Sequence, residues 1–160
     1  MTIEDVDADA ESVARAIALR KLTARACTRH ELEKVLQAKY VPQAAIDAVL
    51  DQLEEVSLIN DASFALDWVT SRQRRRHLSR QALRRELQAK GVEPSEIDGA
   101  LDQVDHNAEL RSARDLVGRK RAAMDGLPRD VQYRRLAGML SRRGFDASIT
   151  ARVLAEVLSD

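Results

Sequence analysis

The sequence predicts an all-α protein on three observations: few turn formers, many helix formers, and apolar residues that recur at steps of three and four. With Pro 3 and Gly 6 in 160 residues, the chain cannot turn every ten residues as a β protein must, while 24 Ala and 19 Leu favour helix in almost every window. The aliphatic stripes keep to helical spacing throughout.

The elements fall into three triplets. Each begins with a leading helix marked small, large, apolar, basic at i, i+3, i+4, i+7: Ala14, Ile17, Ala18, Lys21; then Ala65, Trp68, Val69, Arg72; then Ala113, Leu116, Val117, Lys120. The helices that follow are related by a shift of 51, which aligns residues 28 to 53 with 79 to 104 at 12 identities in 26 positions. Leu32, Leu36, Ile46 and Leu50 in one copy match Leu83, Leu87, Ile97 and Leu101 in the other, with a break near 40 and 91. Each copy is therefore a helix, a tight turn and a second helix. A fainter third copy carries Leu136, Leu140, Gly144 and Phe145 and leads into Ile149, Val153, Leu154 and Val157, with Thr150 where Ile97 predicts an aliphatic residue. Its leading loop is lengthened by Met124-Asp125-Gly126-Leu127-Pro128.

Start and stop residues agree with nine helices. Thr28 and Glu31 form a capping-box pattern, Ser79 occupies the same slot, and Asp61, Asp130 and Asp146 are placed to accept first-turn N–H groups. Gly91 and Gly144 sit where the chain must reverse through a left-handed conformation. Tyr40 stands there in the first copy, so either it adopts that conformation at a cost or the first turn is built differently.

The expected organisation is an acidic, disordered tail over 1–10, then three-helix repeats over 11–59, 60–106 and 107–160. About 50 residues per triplet is small for a self-sufficient core, so neighbours must stack, giving an elongated, curved helical array. Asp and Glu crowd the N-terminus where a signal peptide needs positive charge, and no apolar run approaches the roughly 20 residues that span a bilayer. A soluble, cytoplasmic monomer is expected. Cys27 is alone, and His30, His77 and His106 have no zinc spacing, so neither disulfide, metal nor cofactor is expected. Glycine-rich phosphate loops, nucleophile elbows and isolated acid pairs are missing from the sequence, which argues against an enzyme.

Zero net charge conceals a gradient of −5, +1 and +4 over residues 1–61, 62–111 and 112–160. Between 72 and 90 lie Arg72, Arg74, Arg75, Arg76, Arg80, Arg84, Arg85 and Lys90 against one acid, Glu86. A run of this kind is ordinarily a solvated face with internal partners such as Glu86 and Asp98; an excess of seven charges favours an external anionic surface, which the planar arginine fork suits. A second basic group comprises Arg119, Lys120, Arg121, Arg134, Arg135, Arg142 and Arg143.

The stretch Leu58-Ile59-Asn60-Asp61-Ala62-Ser63-Phe64-Ala65, followed by Trp68-Val69, Ser71-Arg72, Leu83-Arg84-Arg85-Glu86-Leu87, Lys90-Gly91-Val92 and Arg142-Arg143-Gly144-Phe145, resembles the RecX family of RecA modulators over about residues 13 to 158. Ser57, Arg76-His77 and Trp68 depart from the family's usual glycines and tyrosine. The resemblance implies a regulator of the SOS response and of homologous recombination. Such a protein binds the RecA–DNA filament and suppresses strand exchange, ATP hydrolysis and assisted LexA cleavage. Its contact residues are expected among Arg72, Arg74, Arg75, Arg76, Arg80, Arg84, Arg85, Lys90, Lys120, Arg134, Arg135, Arg142 and Arg143.

Two readings compete: a passive helical scaffold with no charge-dependent partner, and a direct nucleic-acid binder, single- or double-stranded, using the basic helix of the second triplet. Base readout needs amides or arginines at one exposed helix N-terminus, and Gln81 is the only amide so placed. Trp68 and Phe64 are expected in the core rather than as a stacking platform, Phe145 in packing, and Cys27 as a small apolar filler. His77, among arginines, is expected to resist protonation.

Overall fold

The computed structural model describes residues 2–159; Met1, the first residue of the expected tail, and Asp160, the last of the expected third repeat, lie outside the described residues. Nine α-helices are present among them: α1 (Ile3–Ala24), α2 (Arg29–Ala38), α3 (Gln43–Glu55), α4 (Asp61–Arg76), α5 (Arg80–Ala89), α6 (Pro94–Leu101), α7 (His106–Arg121), α8 (Arg129–Arg142) and α9 (Ala147–Val157). A 3₁₀ turn, Ala122–Met124, follows α7 within the lengthened third loop. The described residues contain no strand.

The chain groups into two compact units, Met1–Ala65 with Leu87–Ile97, and Leu66–Glu86 with Asp98–Asp160. Their borders fall inside α4, α5 and α6. In the first unit α1 packs on α2 and α3. Its core is Ala14, Ala18, Cys27, Leu32, Leu36, Ile46, Val49, Leu50, Leu53 and Ile59. In the second, α7 packs on α8 and α9 around Leu110, Leu116, Val117, Leu136, Leu140, Phe145, Ile149, Val153 and Leu154. Leu32, Leu36, Ile46, Leu50, Leu136, Leu140, Ile149, Val153 and Leu154 among them are residues of the aliphatic stripes, and each fully buried Leu contributes about 1.5–3 kcal/mol.

Helix ends show why the chain divides where it does. Thr28 and Glu31 make the reciprocal capping box at α2, Ser79 Oγ accepts the Ala82 N–H at 3.0 Å, and Asp146 accepts the Ile149 N–H at 2.8 Å. Two capping expectations change. Asn60 caps α4 by accepting the Ser63 N–H at 3.0 Å, which frees Asp61 to accept the backbone N–H of Arg29 at 3.0 Å, a first-turn donor of α2 instead of α4. Pro128 precedes α8 without a side-chain cap, and Asp130 lies inside the first turn, where its charge complements the helix dipole.

Tyr40 adopts the left-handed conformation, φ 60°, with its ring almost wholly in solvent. Its turn is therefore built like those of Gly91 and Gly144. Residues 3–10, expected to lie in a disordered tail, extend α1 by two turns, started by a Thr2–Asp5 capping box and by Glu4 and Asp5 at the positive end of the dipole. Residues 2–9 are all exposed, so this extension adds nothing to the core.

Candidate functional site

The division into units sharpens the charge gradient. The first unit carries 8 basic and 14 acidic side chains and the second 18 and 12, so a chain of zero net charge separates into −6 and +6. Every predicted contact residue except Lys90 belongs to the second unit.

Arg74, Arg75 and Arg76 occupy the last turn of α4, where cations complement the helix's negative end. All three are exposed, and among the described residues none of their side chains makes a hydrogen bond or ion pair; the Arg85 side chain on α5 is likewise exposed and unpaired. On α7 and α8, Lys120, Arg134, Arg135 and Arg142 share that condition.

The other five predicted residues hold the protein together. Arg72 binds Glu86 through two nitrogens, Nε at 3.0 Å, with its guanidinium 5.0 Å from the centre of the Trp68 ring. Arg80 donates to the carbonyls of Leu101 and Val104 at 2.7 and 3.0 Å, closing the end of α6. Arg84 pairs with Asp98 at 2.8 Å. Lys90 pairs with Glu31 at 3.4 Å and lies 5.8 Å from the Phe64 ring centre. The Arg143 guanidinium donates to the Arg76 carbonyl at the end of α4.

The aromatic expectation is corrected in part. Trp68 and Phe64 are half-buried rather than core; a cation lies over each ring, and the Trp68 indole N–H donates to Glu86 at 3.1 Å. Phe145 packs in the core and Cys27 is buried beside the end of α1, where burial pushes its thiol pKa up. His77 is buried, and its pKa is held below the usual imidazole range, first by burial and then by Arg119 and Arg143, against the opposing pull of Asp115 and a backbone hydrogen bond at Ser112. The repulsion expected from neighbouring arginines is present but comes second.

Sequence reasoning missed Arg111, which is exposed near His77 and precedes Arg119 by two helical turns on the same side of α7. That i, i+4, i+8 register with Asp115 and Arg119 was the available signal. No cluster of His, Cys, Asp or Glu among the described residues is disposed to hold a metal ion, and no helix there is long and apolar enough to cross a membrane.

The chain matches the family models for the first RecX three-helix domain over residues 14–53 and the second over residues 60–101. Regulatory protein RecX of Streptomyces coelicolor is 48% identical over 147 residues, spanning 92% of this chain and 78% of that protein. Regulatory protein RecX of Thermobifida fusca is 43% identical over 145 residues, spanning 91% and 78%. The crystal structure of RecX from Lactobacillus salivarius shares the fold with a TM-score of 0.79 at 21% identity, covering 94% of this chain and 97% of that one. With both domain matches in order along the chain and relatives this similar over most of their length, the chain belongs to the RecX family.

Proposed function

We propose that the chain is a non-enzymatic regulator that binds the RecA–DNA filament and inhibits the recombinase, ATPase and coprotease activities of RecA. The observation that carries this reading is the concentration on the second unit of exposed basic side chains without a partner among the described residues: Arg74, Arg75, Arg76, Arg85, Lys120, Arg134, Arg135 and Arg142. Cations left without internal partners do little for folding and are available to an anionic partner. Arg72, Arg80, Arg84, Lys90 and Arg143 serve the frame that presents them.

In this reading the three-helix repeats stack into an elongated, curved array that acts in the cytoplasm as a monomer and lies along the filament groove. Support comes from the recurrence of one joint: Asp61 meets the N–H of Arg29 as Glu109 meets that of Arg80. Several weak contacts on one frame would raise affinity through effective concentration. Small-angle scattering from the free protein tests the shape and the oligomeric state.

The deciding experiment is the DNA-dependent ATPase of RecA titrated with purified protein, wild type against Arg74→Glu/Arg75→Glu/Arg76→Glu. Inhibition by the wild type and its loss in the variant support the reading; equal inhibition by both removes the basic face from it. Binding to bare DNA across a salt series separates the nucleic-acid alternative, because neutralising several phosphates makes affinity fall steeply with salt.

A further inference from the structure

Beside the end of α4, an open cavity of about 380 Å³ is lined by Arg74, His77, Arg111, Ser112, Asp115 and Arg119, all within the second unit. Three features set it apart from the rest of the basic surface. Arg74, Arg111 and Arg119 line one hollow, yet none makes a hydrogen bond or ion pair among the described residues. Asp115 is the single carboxylate in the lining, which leaves two positive charges in excess. His77 and Ser112 are 7% and 8% exposed, and His77 Nε2 and Ser112 Oγ have no hydrogen-bond partner among the described residues. Buried polar atoms are nearly always paired, so two orphans in one wall require an explanation.

We infer that this cavity binds a phosphate dianion, free or as the terminal phosphate of a monoester. Three guanidinium groups offer paired N–H donors in the geometry that suits phosphate oxygens, and the excess of two charges matches the dianion. The Ser112 hydroxyl, and the His77 ring when it carries a second proton, are the donors this wall adds for an oxygen of the bound group. Arg119 and Arg143, which oppose a charge on His77, are offset by the incoming anion, as Asp115 already offsets them in part. This inference stands on the cavity alone and does not require RecA.

The test is calorimetric titration of the full chain with inorganic phosphate in low-chloride buffer, with the His77 ring nitrogens followed by NMR and assigned through His77→Gln. Saturable binding that moves the His77 signals is expected. Arg111→Gln/Arg119→Gln, which touches no internal partner, should weaken it by about tenfold or more. Arg129→Gln/Arg152→Gln, which lowers the unit's charge equally outside the cavity, should leave it unchanged. A nucleoside 5′-monophosphate binding as well as phosphate identifies the monoester source, and phosphate alone binding identifies the free ion. Absence of saturation, still His77 signals, equal loss in both double variants, or a phosphodiester lacking a terminal phosphate binding as tightly would each overturn the inference.

Discussion

The Glu109 carboxylate accepts the backbone N–H of Arg80 at 3.2 Å, and Asp61 accepts that of Arg29 at 3.0 Å. The two acids hold equivalent places, four residues before Ala65 and Ala113 in the recurring register of the leading helices, and the two arginines open the repeated second helices. A helix start leaves its first N–H groups without partners. Here Asp61 at the start of α4 and Glu109 in the first turn of α7 supply the acceptors, so the starts of α2 and α5 are each secured by one charge-assisted bond. The closing turns repeat the pattern: Thr28 Oγ donates to the Lys90 carbonyl at 2.7 Å in the first unit, and the Ser79 N–H donates to the Arg143 carbonyl at 3.0 Å in the second.

Substitutions at Glu109 separate its charge from its hydrogen bond. Burial holds the pKa of Glu109 above the ordinary carboxylate range, an effect the Arg80 N–H only partly offsets. A raised pKa means that the folded state binds the proton more tightly than the unfolded chain. Stability is therefore greatest below the unfolded value and declines as pH rises through the folded one. Glu109→Gln keeps an acceptor and removes that slope, so urea denaturation at pH 7 should find it no less stable than wild type. Glu109→Ala strands the Arg80 N–H and should cost about 0.5–2 kcal/mol, the usual cost of a lost cap. Gln falling below Ala at pH 7 would contradict the account.

Glycine substitutions should sort by conformation. At Gly91, φ 75°, a Cβ would stand 2.3 Å from the His30 Cβ; at Gly144, φ 90°, it would stand 2.4 Å from Ser79 Oγ and 2.9 Å from the Ala82 Cβ. Either Ala variant carries left-handed strain of about 1–3 kcal/mol and a clash besides. Gly99, inside α6, meets nothing within 4 Å, and Gly99→Ala should stabilise by about 0.5–1 kcal/mol through helix propensity. Thermal denaturation of the three variants should give shifts of opposite sign.

These positions also mark how much the sequence disclosed. The aliphatic stripes, the two glycine turns and the Thr28 cap are local, periodic signals, and they predicted the helices correctly. Asp61 was recognised as a capping residue by type, but its donor lies 32 residues earlier, a pairing no local pattern carries. The same limit applies to the basic run. Arg72 and Arg74 are both arginines on α4, yet Glu86 from α5 engages one, and no side chain among the described residues engages the other. Only the packing of helices distinguishes a structural arginine from an available one.

The Arg72–Glu86–Trp68 cluster provides a pH readout. Its hydrogen bonds hold the Glu86 pKa below the ordinary range, chiefly through Arg72, against the opposing effect of burial. A lowered pKa gives stability that is present above the unfolded glutamate value, about 4.3, and is lost as pH falls through the folded one. Both side chains are roughly a quarter exposed, so the contribution is about 1 kcal/mol or less. Trp68 is the single tryptophan and donates to Glu86, so its fluorescence should change on acidification ahead of global unfolding. Glu86→Gln should abolish that early change; a persistent transition in the variant would assign it elsewhere.

Arginines of one sequence run should give opposite results in one stability assay. Arg80 closes the end of α6 by donating to the Leu101 and Val104 carbonyls, with its side chain partly buried. Arg80→Ala leaves these acceptors without that donor and removes the packing of its stem, at an expected cost of about 1–3 kcal/mol. Arg75 and Arg85 are exposed and have no partner among the described residues, and Arg75→Glu/Arg85→Glu should alter stability by no more than about 0.5 kcal/mol. The double variant also relieves like-charge repulsion in a unit of net charge +6, so any small shift should be toward greater stability at low salt. Chemical denaturation at two ionic strengths measures both effects. If the double variant unfolds as readily as Arg80→Ala, the exposed arginines have a structural role, and a loss of filament inhibition on their removal would no longer indicate contact.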